Sequence, residues 1–218
     1  MIPNKIVELT ADGLYYMLLP EIKEMSQYKN MDGFLAYLKK AMPDIQKQWA
    51  FWTSPEGKGK QGAVPNRFIN LKVFMITYLI DFVVNENPTD LPHLLQVIAY
   101  KESTMSPYVG GYYGAPPFGI TKRSAVALNE GVINLILGMK AGRRLKTHYK
   151  KSLLWNGMAA YVTLVEKYKH LKKIKDWDKA HVRFRYLWRD SASTLLYFYN
   201  GSWLAAAYAK HAKKLLRI

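Results

Sequence analysis

The chain has 218 residues, of which 50% are hydrophobic and 14% aromatic, a composition that excludes an intrinsically disordered protein. The absence of cysteine excludes disulfides and thiolate metal sites, and the five histidines show no short ligand spacing, so we expect neither a metal site nor a cofactor. An excess of 32 Lys and Arg over 16 Asp and Glu gives a net charge of +16, which predicts attraction to nucleic acid, anionic lipid or the bacterial cell wall.

The first 65 residues are predicted to form a helical N-terminal extension. Apolar residues recur at helical spacing over 6–40, and Pro20 and the pair Asp32-Gly33 interrupt them, which indicates two short helices. The Gly-, Pro- and Lys-rich run 53–65 is typical of a mobile surface loop. We therefore place the boundary of the main domain at residue 66, with the main domain spanning 66–218.

The targeting signals of an exported or membrane protein are not evident. The N-terminus lacks a basic stretch followed by a long apolar run, so no signal peptide is expected. The longest apolar stretch, 73–84, contains Thr77 and Asp81 and is shorter than the roughly 20 residues that a membrane span requires. The pattern predicts a buried helix and no membrane span.

Helical patterns dominate the rest of the chain. The spacing predicts a helix over 66–85 and a second one that begins at Thr89-Asp90, with Pro92 in its first turn, and runs to Glu102. The Gly-, Pro- and Tyr-rich segment 104–123 is irregular, with at most a small β-hairpin near 108–118. The later predicted helices are 132–145, 153–170, 177–188 and 191–216, the last bent at Gly201. The fold class is therefore predicted to be mainly α.

Glu102 is the candidate catalytic residue. It is the only acidic residue between Asp90 and Glu130, and it lies where an apolar helix meets the irregular segment. An apolar wall raises the pKa of a carboxyl group, which is what a general acid in glycosidic cleavage requires near neutral pH. The alternative is an ordinary surface glutamate at a helix end, paired with Lys101 or Arg123.

Four short motifs occur in the order in which they occur in a known family. They are the Glu-Ser pair of 97–107 (VIAYKESTMSP), the segment 114–125 (GAPPFGITKRSA), the segment 134–138 (NLILG) and the Tyr-Asn-Gly of 199–201. Together they resemble the catalytic domain of soluble lytic transglycosylases and goose-type lysozymes, especially its phage-type form. The resemblance covers roughly residues 91–209.

The resemblance implies a lysozyme-like helical domain in which Glu102 alone serves as general acid and base. It implies substrate-binding roles for six further residues: Ser103, Tyr113, Phe118, Thr121, Tyr199 and Asn200. In this interpretation Ser103 hydrogen-bonds Glu102 or its loop, and Tyr199 orients the carboxyl group. Asn200 binds an acetamido group, while the aromatic side chains of the irregular segment stack on sugar faces.

The chain departs from the family pattern at two points. Gly119 stands where the family has Gln, so a polar contact is missing or is supplied by Thr121 or a tyrosine. The interval from Gly138 to Asn200 is long, which implies a helical insert around 145–190. The tripeptide 155–157 (WNG) is a competing match for the last motif at a shorter interval. We favour 199–201, because the residues that follow it fit the family pattern better.

The predicted function is cleavage of peptidoglycan between N-acetylmuramic acid and N-acetylglucosamine, by a lytic transglycosylase or a lysozyme; the sequence does not separate the two. The expected partners are glycan strands and anionic wall polymers, and the expected site of action is the bacterial cell wall, reached as a phage lysin or virion-associated enzyme. Two alternatives remain open at this stage: a basic helical nucleic-acid-binding protein, and a cell-wall-binding module without catalytic activity.

Overall fold

The computed structural model describes residues 9–54, 69–107, 116–122, 128, 130–138, 141–200 and 205–216. The regular structure within these ranges is helical and includes no strand, which confirms the predicted mainly α class. Most of the predicted hairpin near 108–118 lies outside the described residues. No helix in the described ranges has the length and apolar character needed to cross a bilayer.

The N-terminal region forms three helices, α1 (Ala11–Met17), α2 (Leu19–Met25) and α3 (Phe34–Thr53). Pro20 does not end a helix but lies in the first turn of α2, where its missing N–H is not needed. The helices share one hydrophobic cluster with the rest of the chain. Glu24 of α2 also accepts a hydrogen bond from the indole of Trp155 at 2.7 Å, so the N-terminal helices pack directly on the main helical core.

The next two helices, α4 (Leu71–Asn85) and α5 (Leu91–Ser103), form the centre of the fold. Asn70 caps α4 by accepting a hydrogen bond from the amide of Val73, so the helix begins five residues later than the apolar pattern alone predicts. At the start of α5 the Thr89 hydroxyl accepts a hydrogen bond from the amide of Leu91. The Asp90 carboxylate instead bonds the indole of Trp188, because tertiary contacts compete with capping.

Two predicted long helices are each divided in the structure. Gly138, at φ +81°, ends the first half of 132–145, and the second begins at Ala141. The predicted helix 191–216 consists of two helices that pack against each other rather than one bent helix. The helices of this half are α6 (Glu130–Leu137), α7 (Ala141–His148), α8 (Leu153–Leu171), α9 (Trp177–Leu187), α10 (Ala192–Asn200) and α11 (Ala205–Leu216), with a 3₁₀ turn at Trp188–Ser191.

Helix α8 is the central helix of the C-terminal half. It is buried almost continuously from Leu154 to Val165 and packs against α4, α5, α7, α9 and α10. It therefore lies at the centre of the core, although it falls within the predicted insert 145–190. Helix α11 packs against both α10 and α5, which brings the C-terminal helices to the end of α5 that carries Glu102.

Candidate active site

Glu102 lies in the last turn of α5, at an abrupt change of chain direction. The two residues after the helix, Thr104 and Met105, both adopt left-handed backbone conformations, at φ 56° and 55°. Ser103 is buried, its hydroxyl donates to the carbonyl of Ala99 at 2.9 Å, and it accepts from the amide of Ser106 at 3.1 Å. Ser103 thus holds the loop after Glu102, as one of its two predicted roles requires.

Gly119 packs directly on the carboxyl group of Glu102. A Cβ atom at position 119 would lie 2.7 Å from Cδ and 2.9 Å from Cγ of Glu102, distances that real structures do not tolerate. The backbone of Gly119 is also left-handed, at φ +69°, which favours glycine on its own account. Glu102 therefore occupies the space that the Cβ atom of any other residue at position 119 would need.

The backbone of Phe118, the residue before Gly119, is held from both sides. The amide of Phe118 donates to Oδ1 of Asn156 at 2.9 Å, and the hydroxyl of Tyr199 donates to the carbonyl of Phe118 at 2.7 Å. Asn156 is itself fully buried and uses its Nδ2 to bond the carbonyl of Tyr149. Helices α8 and α10 thus fix the turn that presents Gly119 to Glu102.

Burial is the main influence on the Glu102 carboxyl group. It raises the pKa of Glu102 above its ordinary value, while the Tyr208 hydroxyl and the charge of Lys101 oppose the shift. The Tyr208 hydroxyl is buried, and burial, followed by the charge of Glu102, raises the pKa of Tyr208. The protonated form of Glu102, which is the form that a general acid needs, is therefore more favourable than it is in an ordinary glutamate.

A second pair of titratable side chains lies beside the carboxyl group. Nζ of Lys101 lies 3.0 Å from Nδ1 of His211 and 5.4 Å from the centre of the Tyr208 ring. Burial lowers the pKa of Lys101, although the charge of Glu102 acts in the opposite direction. Tyr208 and His211 are one turn apart on α11, so this helix brings both groups to the end of α5.

Of the predicted site residues, Glu102 and Tyr199 contact the turn 116–119, whereas Ser103 bonds its own helix and the loop that follows it. Phe118 also belongs to the turn, but its ring is fully buried in the core, so it contributes its backbone to the site. Thr121 follows the turn and is partly buried. Tyr113 and the side chain of Asn200 lie outside the described residues.

Two residues of the site, Asn156 and His211, were not predicted as site residues from the sequence. Asn156 belongs to the tripeptide that competes with 199–201 as the last family motif, and the structure places both segments against the same turn. The two motifs are therefore not exclusive alternatives in space. His211 gave no signal, because its contact with Lys101 joins positions 110 residues apart in the sequence.

Glu102 lines none of three cavities that are formed by described residues. Within the described ranges, no group of His, Asp and Glu side chains is arranged to hold a metal ion. Neither a scan against protein-family models nor searches of curated proteins and of solved structures find a match to this chain.

The Tyr199→Phe substitution tests the bond that holds the turn. It removes one hydroxyl and leaves the Phe118 carbonyl without that partner, so we expect a loss of about 1–3 kcal/mol in the free energy of unfolding, measured with urea. Tyr197→Phe is the matched control, because Tyr197 lies on the same helix and is 45% exposed. It should change stability by less than about 0.5 kcal/mol. Equal effects of the two substitutions would refute the assigned role of Tyr199.

The raised pKa of Glu102 predicts how its removal changes stability with pH. Below the ordinary value of 4.5 the carboxyl group is protonated in both the folded and the unfolded chain. As pH rises through that value, the unfolded chain ionises first, so ionisation destabilises the folded protein until its own pKa is passed. The stability of Glu102→Gln relative to the wild type should therefore rise with pH across this window. Urea unfolding at several pH values measures it, and a relative stability that falls with pH would contradict the assignment.

Proposed function

We propose that this protein cleaves the glycosidic bond between N-acetylmuramic acid and N-acetylglucosamine in peptidoglycan, with Glu102 as the single general acid and base. One observation carries the proposal: residues from three of the four family-like motifs, Glu102, Gly119 and Tyr199, meet at one turn although they are far apart in the sequence. A surface glutamate at a helix end, the alternative interpretation, would not have its carboxyl group packed against this turn with a raised pKa.

In the first step the protonated carboxyl group of Glu102 transfers its proton to the glycosidic oxygen. The bond between this oxygen and the anomeric carbon of N-acetylmuramic acid then breaks, and N-acetylglucosamine leaves with a free hydroxyl. In the second step the Glu102 carboxylate takes a proton from the group that attacks the anomeric carbon. Attack by the sugar's own C6 hydroxyl gives a 1,6-anhydro product, as in a lytic transglycosylase, whereas attack by water gives a reducing end, as in a lysozyme.

We further propose that the positive charge holds the enzyme on the anionic cell wall. Helix α11 presents the exposed side chains of Lys210, Lys213 and Lys214 while its other face packs near Glu102. Exposed charges are screened within about 10 Å at 0.1 M salt, whereas a carboxyl group in an apolar setting is governed by its close neighbours. Higher salt should therefore weaken sedimentation with purified sacculi and leave turnover of a short soluble glycan unchanged. Salt-independent sedimentation would contradict this role for charge.

The decisive experiment is mass spectrometry of the fragments released from purified sacculi. Anhydro-muropeptides would identify a lytic transglycosylase, and muropeptides with reducing ends would identify a lysozyme. Sedimentation with sacculi but no released fragments would indicate a non-catalytic wall-binding module and overturn the enzymatic proposal. We propose action at the bacterial cell wall, as a phage lysin or virion-associated enzyme.

A further inference from the structure

A cavity of about 330 Å³ lies between the C-terminal end of α4, helix α6 and helix α9. It is remote from the candidate active site, because it adjoins Asn85 and Glu86, just before the start of α5, whereas Glu102 is at the far end of that helix. Leu135 and Val182 form part of its wall and are 44% and 42% exposed. Its size is within the range of small-molecule pockets.

His181 lines this cavity and has an unused polar atom. The residue is buried, with 7% of its surface exposed, and its Nε2 has no hydrogen-bond partner among the described residues. Burial, together with the charges of Arg185 and Lys29, lowers the pKa of His181 to about 4, while Asp178 acts in the opposite direction. A neutral imidazole at pH 7 can donate one hydrogen bond, and Nε2 has no acceptor among the described residues.

Arg185 lines the same cavity, one turn further along α9. Its Nε donates to Oδ1 of Asn85, which is a neutral partner, and no ion pair joins Arg185 to a carboxylate in the described part of the chain. Asn85 is fixed in turn by its bond to the buried Asp81. The guanidinium group is therefore held in place while its charge has no direct counter-ion.

The other charges at the cavity limit the kind of ligand. Lys29 is paired with Glu86 at 3.0 Å, and Asp178 adds one negative charge, so a dianion would meet two carboxylates. A monoanion with an apolar portion suits Arg185, His181 and the apolar wall together. We infer that this cavity binds the carboxylate of a small organic acid, with Arg185 and His181 on the carboxylate and Leu135 and Val182 on the apolar portion.

Benzoate is a suitable probe, with benzamide as the uncharged compound of the same shape. We expect benzoate to shift the imidazole NMR signals of His181 in the full-length protein with a millimolar Kd, and benzamide to bind at least about tenfold more weakly, because it lacks the charge that pairs with Arg185. Equal binding of the two compounds, or no shift with benzoate, would overturn the inference. Binding of inorganic phosphate in place of benzoate would also overturn the assignment to a carboxylate.

Two substitutions on α9 make the test specific. Arg185→Gln removes the charge but keeps a donor for Asn85, and it should weaken benzoate binding at least about tenfold. Arg183→Gln is the control, because Arg183 is exposed on the same helix and does not line the cavity; it should leave the Kd unchanged. Equal weakening by both would mean that benzoate responds only to net charge. This result does not depend on glycosidase activity, so it stands or falls separately from the proposed function.

Discussion

Glu102→Gln is expected to lower the rate of glycan cleavage by roughly 100- to 10,000-fold, the usual cost of losing a positioned general acid. The substitution preserves the shape of the side chain, so the packing against Gly119 remains, but glutamine cannot deliver the proton that the leaving oxygen needs. Release of soluble fragments from purified sacculi measures the effect, and circular dichroism verifies that the variant is folded. Sedimentation with sacculi should be retained, because the positive charge of α11 is untouched.

The matched control is Glu86→Gln. Glu86 undergoes the same chemical change at a site where the side chain is 65% exposed, before the start of α5, and its variant should cleave at the wild-type rate. If folded Glu102→Gln retains nearly normal activity, Glu102 is not the catalytic residue, and the resemblance of the Glu-Ser motif is due to chance.

Gly119→Ala is expected to lower both stability and activity. A left-handed backbone costs a residue with a Cβ atom about 1–2 kcal/mol, and the overlap with Glu102 adds roughly 1–3 kcal/mol of overpacking. Because the Cβ atom must displace the carboxyl group, we expect a loss in cleavage rate on the order of 100-fold, the effect of about 1 Å of misplacement. Gly119→Gln, which introduces the residue of the family pattern, should be at least as damaging. Urea unfolding and fragment release measure the two effects.

Two further variants separate strain from overlap. Gly138→Ala has the same kind of backbone, at φ +81°, but its Cβ atom would meet nothing within 4 Å, so it should cost only the backbone strain. Combining Gly119→Ala with Glu102→Ala removes the clashing atoms. The free energy of unfolding of the double variant should therefore be at least about 1 kcal/mol higher than the sum of the two single effects predicts. Additive effects would mean that Gly119 and Glu102 do not pack as described.

Residues of motifs that are far apart in the sequence meet in the structure. Gly119 was a departure from the family pattern in the sequence, yet it is the residue whose missing side chain admits the Glu102 carboxyl group. The two competing matches for the last motif contain Asn156 and Tyr199, and both of these side chains bond the backbone of Phe118. Single-sequence reasoning treats such matches as alternatives because it cannot see that separate helices converge on one turn.

Local signals in the sequence were sufficient for the fold class and for the existence of most helices, and they also single out Glu102 as the candidate catalytic residue. Apolar spacing reports the buried face of each helix, and an isolated acidic residue at the end of an apolar helix is visible without a structure. Local signals failed where distant residues decide the outcome. Asp90 contacts Trp188 instead of capping α5, and Gly138 divides a helix that its apolar spacing makes continuous.

Only the tertiary structure decided the environment of Glu102. Its raised pKa results from burial, which outweighs the opposing effects of the Tyr208 hydroxyl and the Lys101 charge, and His211 from the far end of the chain lies against Lys101. These effects act through space over a few ångströms, between residues that are up to 110 positions apart in the sequence. The sequence determined which residue carries the carboxyl group, and the packing of distant helices determined the direction in which its pKa is shifted.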